Sequence, residues 1–474
     1  MNCRGEFVLT TLARQRSSSL QQRISHVSQQ ITYILEHNPQ KTTIPALDGV
    51  RAVACFLVLA FHLDYLLQLW NITSLGHLAI ALALFGDTGV TLFFVLSGFL
   101  LFLPYVKSLL FDSSWPSARR FYLRRAFRII PGYYATLFLV ILLFHPEYLH
   151  LDHLKYLALF LTFFMDSARA TYQKIDGPFW TLAVEWQFYL LLPLMALAMR
   201  VIVQRGTVQW RIIKLLLCLT TIIAWGMISR YAGAYVYAHP DITLFGSRTA
   251  VKVFLFFLYG TDGGGFHGKF LEDFAVGMIA SMCYMVATTR QAGSNWRAWQ
   301  GWLQRLSPWF WGFGLIVLVL MAMWESNQSN TSIWPFLKPL YPYYLWWREI
   351  CLSVGFGSCI MGILFDNALL QRFFSLPPMR WLGFISYSLY MWHIPLIGVF
   401  STYIMSHVHL RYGLTFTLYW AWALFVIIPF SVAFYLLVEK PGMRLSDKLL
   451  GNRHKPPISQ EVITPATPKE PVLR

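Results

Sequence analysis

Arg51 and His62 lie eleven positions apart in the apolar stretch LDGVRAVACFLVLAFHLDY, Leu47 to Tyr65. At ~100° per residue, eleven steps make three turns plus ~20°, so both side chains share one helix face. At ~1.5 Å rise they stand ~16 Å apart along the axis. Asp48, three positions before Arg51, lies on the same face and can pair with it. Hydrocarbon makes a buried ionisable group costly, so such groups on an apolar helix are functional candidates. A cation at the membrane mouth and a titratable base in the interior, aligned on one face, suit a long anionic ligand lying along the helix. The plain alternative for His62 is a hydrogen bond to a neighbouring carbonyl.

Glu185 in FWTLAVEWQFYLLLPLMALAM and His393 in SLYMWHIPL are further candidates. Counting from the helix starts puts His62 ~21 Å from one face and Glu185 ~9 Å from the opposite one. Across a ~30 Å core these depths nearly coincide, which predicts a base and a carboxylate at one level. His393, flanked by Trp392 and Pro395, falls near mid-membrane, and each of these groups has a purely structural alternative. Arg125 and Arg128 are three apart on one helical face of the basic segment SARRFYLRRAFRIIPGYY. They can hold phosphate, or they can orient the chain and meet lipid headgroups, the reading preferred for Arg119 and Arg120. Nothing has metal-ligand spacing, and there is no Gly-x-Ser-x-Gly elbow or dinucleotide fingerprint. The Gly263–Gly265 run lacks the Lys-Ser/Thr of a phosphate loop, and His267, His407 and His409 read as loop histidines. The six cysteines show no paired short spacing and read as small core residues.

These residues need a membrane scaffold to hold them. The chain is 56% hydrophobic and 13% charged, about half the charge of a soluble protein. It is read as an all-α, polytopic membrane bundle of about ten spans, near 46–70, 78–104, 131–144, 179–199, 213–230, 271–288, 308–324, 343–366, 383–404 and 413–438. The apolar patch at Tyr156 to Met165 is too short to span and suits a re-entrant or interfacial piece. The net charge of +16 falls on the connectors 105–130, 200–212, 289–306 and 367–382, all on the side of the termini. Connectors 71–77 and 405–412 carry almost none of it, which predicts both termini in the cytoplasm and argues against nucleic-acid binding. Residues 1–44 read as a polar cytoplasmic lead with a short surface helix over Ile24 to Leu35, and the first span as an uncleaved signal-anchor. The membrane domain covers 45–442, and 443–474 reads as a disordered cytoplasmic tail. No internal repeat stands out, which disfavours a transporter of inverted halves.

Taken together, LDGVRAVACFLVLAFH, FFVLSGFLL, RRAFRIIPGYY, FWTLAVEWQFYLLLPL, LGFISYSLYMWHIPL and a closing VEKP, in this order, resemble the integral-membrane acyltransferase family 3. The resemblance covers roughly 45–442. It implies a ten-helix membrane enzyme that moves an acyl group, usually acetyl, from acyl-coenzyme A to a hydroxyl of a carbohydrate or glycosylated acceptor. Acetyl-coenzyme A, or another acyl-coenzyme A, is then a co-substrate, with no cofactor held permanently. The family's basic residue and His on the first helix match Arg51 and His62, and its Arg-x-x-Arg matches Arg125 and Arg128. The Glu of its Ser-x-Glu-x-x-Phe-Tyr motif matches Glu185, with Ala183 where Ser is usual. Under this reading His62 is general base or transient acyl acceptor, and Glu185 orients His62 or the acceptor. Arg51, Arg125 and Arg128 hold the coenzyme's phosphates, Asp48 orients Arg51, and His393 supports the same cavity. The residues after Glu439 are too few for the esterase-like domain that some relatives append. The expected location is a bacterial inner or plasma membrane. A transporter or flippase for a glycolipid or small solute is the rival reading.

Overall fold

The computed structural model describes residues 25–36, 44–66, 81, 85–260, 268–289, 296–329, 339, 343–366, 369–408 and 410–451. The Gly263–Gly265 run, His267, His409, the connector 71–77 and most of the lead and tail lie outside them. The described chain is a helical bundle. The helices used below are α1 (25–35), α2 (Pro45–Leu66), α3 (Gly89–Phe111), α4 (Ala118–Phe144), α5 (Leu154–Leu161), α6 (Phe179–Val203), α7 (Val208–Ala238), α8 (Leu271–Thr288), α9 (Trp296–Ser329), α10 (Tyr344–Phe365), α11 (Pro377–Phe384), α12 (Ser386–Val399) and α13 (Tyr412–Leu449). Among the described residues nine helices are long and apolar enough to cross a membrane. They become ten when α11 and the helix Ser386–His407, bent by 70°, count as one span. The protein is thus a multi-pass membrane protein. One face, here called proximal, holds α1 and the end of α13, tied by Lys440 Nζ donating to the Ile34 carbonyl and Tyr435 OH to that of Leu35 at 2.7 Å. The opposite face is called distal.

Several boundaries differ from the sequence reading. The basic segment 119–128 belongs to α4, which starts at Ala118 behind a Ser117 cap and runs through Pro131 without a break. Proline removes one backbone donor, and a long span carries that loss when its neighbours hold it. The ninth span starts at Ser386, after the bend, and not at 383. The last span continues through Glu439 to Leu449, so residues 443–449, assigned above to the tail, are helical. The short patch does form a non-spanning helix, α5, held by Tyr133 OH to Phe160 O at 2.9 Å and Tyr134 OH to Leu161 O at 2.7 Å.

Lipid supplies no hydrophobic drive between helices, so close backbone approach and polar contacts must do the joining. Where α3 crosses α8, a Cβ at Gly98 would run into the Phe274 carbonyl and one at Gly277 into the Val95 carbonyl. Glycine on both sides is what lets these backbones touch. Towards the distal ends, buried charges link four helices. Arg348 pairs with Glu349 at 2.6 Å and with Asp87 at 2.5 Å, and approaches Glu325 at 3.4 Å. Arg230 pairs with Glu272. Arg348→Ala leaves Asp87 and Glu349 buried without their cation. It is expected to cost on the order of 3–5 kcal/mol, read as a lower thermal midpoint of the detergent-solubilised protein.

Candidate active site

The bend at Ile385 turns α12 so that its first residues meet α2, where Cys55 Sγ donates to the Ser386 carbonyl at 3.5 Å. Two turns on, His393 reaches His62. His62 Nδ1 lies 2.8 Å from the Val58 carbonyl oxygen, and His393 Nδ1 lies 2.7 Å from that of Tyr390. A carbonyl only accepts, so each Nδ1 carries its hydrogen. His393 Nε2 is then a lone pair, 3.3 Å from His62 Nδ1–H, with the two rings edge-on at 4.9 Å between centroids. The partners thereby assign both tautomers. Among the described residues they leave His62 Nε2 as the unengaged lone pair of the pair, the position a proton acceptor needs.

At the proximal end of α2, Arg51 Nη1 donates to Asp48 Oδ1 at 2.9 Å. The other oxygen of Asp48 faces Arg380 Nε at 3.7 Å, and Arg380 in turn holds Glu36 at 3.2 Å. The Arg51 charge acts on those of Arg128, Asp48 and Glu185, and the Arg125 charge on Arg128, Arg51 and Glu185. Three guanidiniums from α2 and α4 are therefore gathered in one place. Among the described residues no carboxylate forms an ion pair with Arg125 or Arg128. Glu185 Oε1 accepts from Ser97 Oγ at 2.6 Å and from Tyr189 OH, and its charge acts on Arg51 and Arg125 without a direct contact to either among those described. Such a group, positive and with unused planar donors, is suited to a polyanion.

The structure brings His393 to His62, Asp48 to Arg51, and Arg51, Arg125 and Arg128 to one another. Glu185 is placed with the arginines, and no contact with His62 is among those described. In the loop before α6, Asp166, Thr171, Asp176 and Phe179 are buried, and the bonds of Glu185 go to Ser97 on α3 and Tyr189 on α6. Two residues of the site were missed. Tyr189 stands four after Glu185, a spacing that already put it on the same face. Ser97, in the motif FFVLSGFLL, reaches Glu185 from α3, a contact that no spacing along one helix signals. Glu439, within α13, accepts from Ser388 Oγ, and its charge acts on Arg128.

With this geometry in place, comparison with known proteins is informative. The family model described as an acyltransferase domain matches residues 44–436. The chain is 24% identical over 376 residues to the peptidoglycan O-acetyltransferase OatA of Listeria monocytogenes, covering 75% of this chain and 49% of that protein. It is 25% identical over 419 residues to the putative peptidoglycan O-acetyltransferase YrhL of Bacillus subtilis, covering 84% and 54%. To the O-acetyltransferase OatA of Staphylococcus aureus it is 25% identical over 381 residues, covering 76% and 51%. The chain thus spans about half the length of the relatives it matches. No solved structure matches it. With the family model matching all of the chain from before α2 into α13, this protein belongs to the acyltransferase domain family, as its motifs suggested.

Proposed function

We propose that this protein transfers an acyl group, acetyl as the reference, from acyl-coenzyme A to a hydroxyl of a carbohydrate, with peptidoglycan as the first acceptor to test. The observation that carries the reading is the His62–His393 pair with His62 Nε2 free, joined along α2 to a cluster of arginines. The relatives' names support the O-acetyl chemistry and the peptidoglycan acceptor. The donor rests on the arginines. Coenzyme A is a polyanion with a long, thin pantetheine arm, and the ~16 Å between Arg51 and His62 along α2 suits such an arm. The proximal connectors and helix starts carry Arg119, Arg120, Arg200 and Arg205, which supports a cytoplasmic proximal face with both termini on it, in a bacterial plasma membrane.

In this mechanism Arg51, Arg125 and Arg128 hold the phosphates at the proximal face, and the thioester lies beside His62. The acceptor hydroxyl gives its proton to His62 Nε2 as its oxygen attacks the thioester carbonyl carbon. The imidazolium so formed keeps its Nδ1–H on the Val58 carbonyl and the His393 lone pair, which hold the ring in place and stabilise its charge. The tetrahedral intermediate collapses, the C–S bond breaks, and the proton passes to the coenzyme thiolate. His393 is a positioning residue here. His393→Ala, which leaves Val58 to hold His62, is expected to lower kcat by about tenfold. Its pH–rate profile is expected to move while both KM values stay near wild type. Mass spectrometry of envelope glycans from cells with and without the protein tests the whole reading. A missing acetyl group in its absence supports it, and identical glycans oppose it.

A further inference from the structure

Asp176 ends the buried loop that leads into α6. It is 3% exposed, and neither of its carboxylate oxygens has a hydrogen-bond partner among the described residues. Its charge acts on Tyr390 of α12 and Tyr133 of α4. Tyr390 is the residue whose carbonyl oxygen holds His393 Nδ1 and whose hydroxyl meets Thr181 Oγ1 at 2.6 Å. The neighbouring Gly177 lies directly against Ile394, next in sequence to His393. Asp176 therefore lies where the loop before α6 packs against Tyr390 and Ile394 of α12, the residues on either side of the turn that carries His393. The same two helices carry two more buried, unpartnered groups, Thr136 Oγ1 on α4 and Trp392 Nε1 on α12. Desolvating a carboxylate without a partner is among the costlier things a fold can do. Here the cost falls beside Tyr390, whose carbonyl oxygen holds His393 Nδ1.

We propose that Asp176 binds the carbohydrate acceptor, its carboxylate accepting hydrogen bonds from sugar hydroxyls next to the one that reacts at His62. The inference rests on the reading of His62 as the transfer site. Sugar hydroxyls fit because they are neutral donors that can approach in pairs, and both oxygens of this carboxyl are without a partner among the described residues. A metal ion does not fit, since no group of three or more acidic, His or Cys side chains able to hold one occurs among the described residues. Asp176 would thus act on the acceptor alone, at the other end of the site from the donor's phosphates.

Burial pushes the Asp176 carboxyl well above the ordinary carboxylate range. An acid whose pKa is raised in the fold favours the fold at low pH and burdens it as pH rises past the unfolded value. Asp176→Asn removes that burden, so its thermal midpoint at pH 7 is expected to lie above that of wild type. The test uses the full chain in nanodiscs with acetyl-coenzyme A and soluble peptidoglycan fragments. Asp176→Asn is expected to raise the acceptor KM by about tenfold, with the donor KM unchanged, and to weaken fragment binding measured without donor by a similar factor. An unchanged acceptor KM and fragment affinity, or a lowered midpoint with both constants intact, overturns the proposal and leaves Asp176 a structural residue. Asp176→Ser gives the same comparison if the Asn protein does not accumulate. Wild-type protein that transfers nothing but binds fragments more tightly than Asp176→Asn refutes the transfer reading and keeps the binding site. Wild type that binds no fragment refutes the site.

Discussion

His62→Ala is expected to lower acyl transfer by about a hundredfold to ten-thousandfold, with the donor KM near wild type and normal accumulation in the membrane. The effect is large because His62 Nε2 is the free lone pair of a pair whose other three ring nitrogens are already engaged. No neighbour can replace it: His393 Nδ1 is held by the Tyr390 carbonyl, and its Nε2 faces His62. The fold is not expected to suffer, since His62 makes its helix bond within α2 and the removal of an ionisable group from a span carries little penalty. Steady-state kinetics on purified protein measure the loss. Wild-type turnover with His62 absent would remove it both as base and as acyl acceptor.

Arg125→Ala is expected to raise the donor KM by about tenfold to a hundredfold, the worth of one charge-assisted contact to phosphate. Arg128→Ala is expected to act in the same direction. Arg125→Lys recovers only part of the loss, because a lysine is a point charge without the planar fork. The thermal midpoint is not expected to fall, since Arg128 and Arg51 repel Arg125 more than Glu185 attracts it, and no described carboxylate forms an ion pair with it. Titration of acetyl-coenzyme A against each variant measures the effect, and an unchanged donor KM for both would remove the pair from the donor site.

The periodic, local features of this protein were legible in its sequence. Ten apolar stretches could be counted, and all ten correspond to helices in the bundle, although the third, near 131–144, crosses only because its helix starts at Ala118. Asp48 and Arg51, three apart on one helix, pair as their spacing requires. What could not be read was depth and cross-helix contact. His393 meets His62 only because α12 turns at Ile385, a 70° bend that helix periodicity does not register. Glu185 bonds to Ser97 of α3, a cross-helix contact that spacing along α6 does not register. The burial of Asp176 is set by how the loop before α6 packs, and the polar residues of that loop read as a surface connector. The distal ion pairs of Arg348 join residues from 87 to 349, separations at which sequence alone carries no pairing signal.

The central claim is that a coenzyme A thioester delivers its acyl group to a carbohydrate at His62. The most direct measurement gives purified wild-type and His62→Ala protein in nanodiscs acetyl-coenzyme A labelled in the acetyl group, with soluble peptidoglycan fragments. Labelled ester on the glycan and free coenzyme A thiol are followed together. The account predicts one thiol released for each acetyl ester formed by wild type, and neither above background with His62→Ala. Ester formation that persists without His62, or wild-type protein that binds acetyl-coenzyme A yet forms no ester, would contradict it.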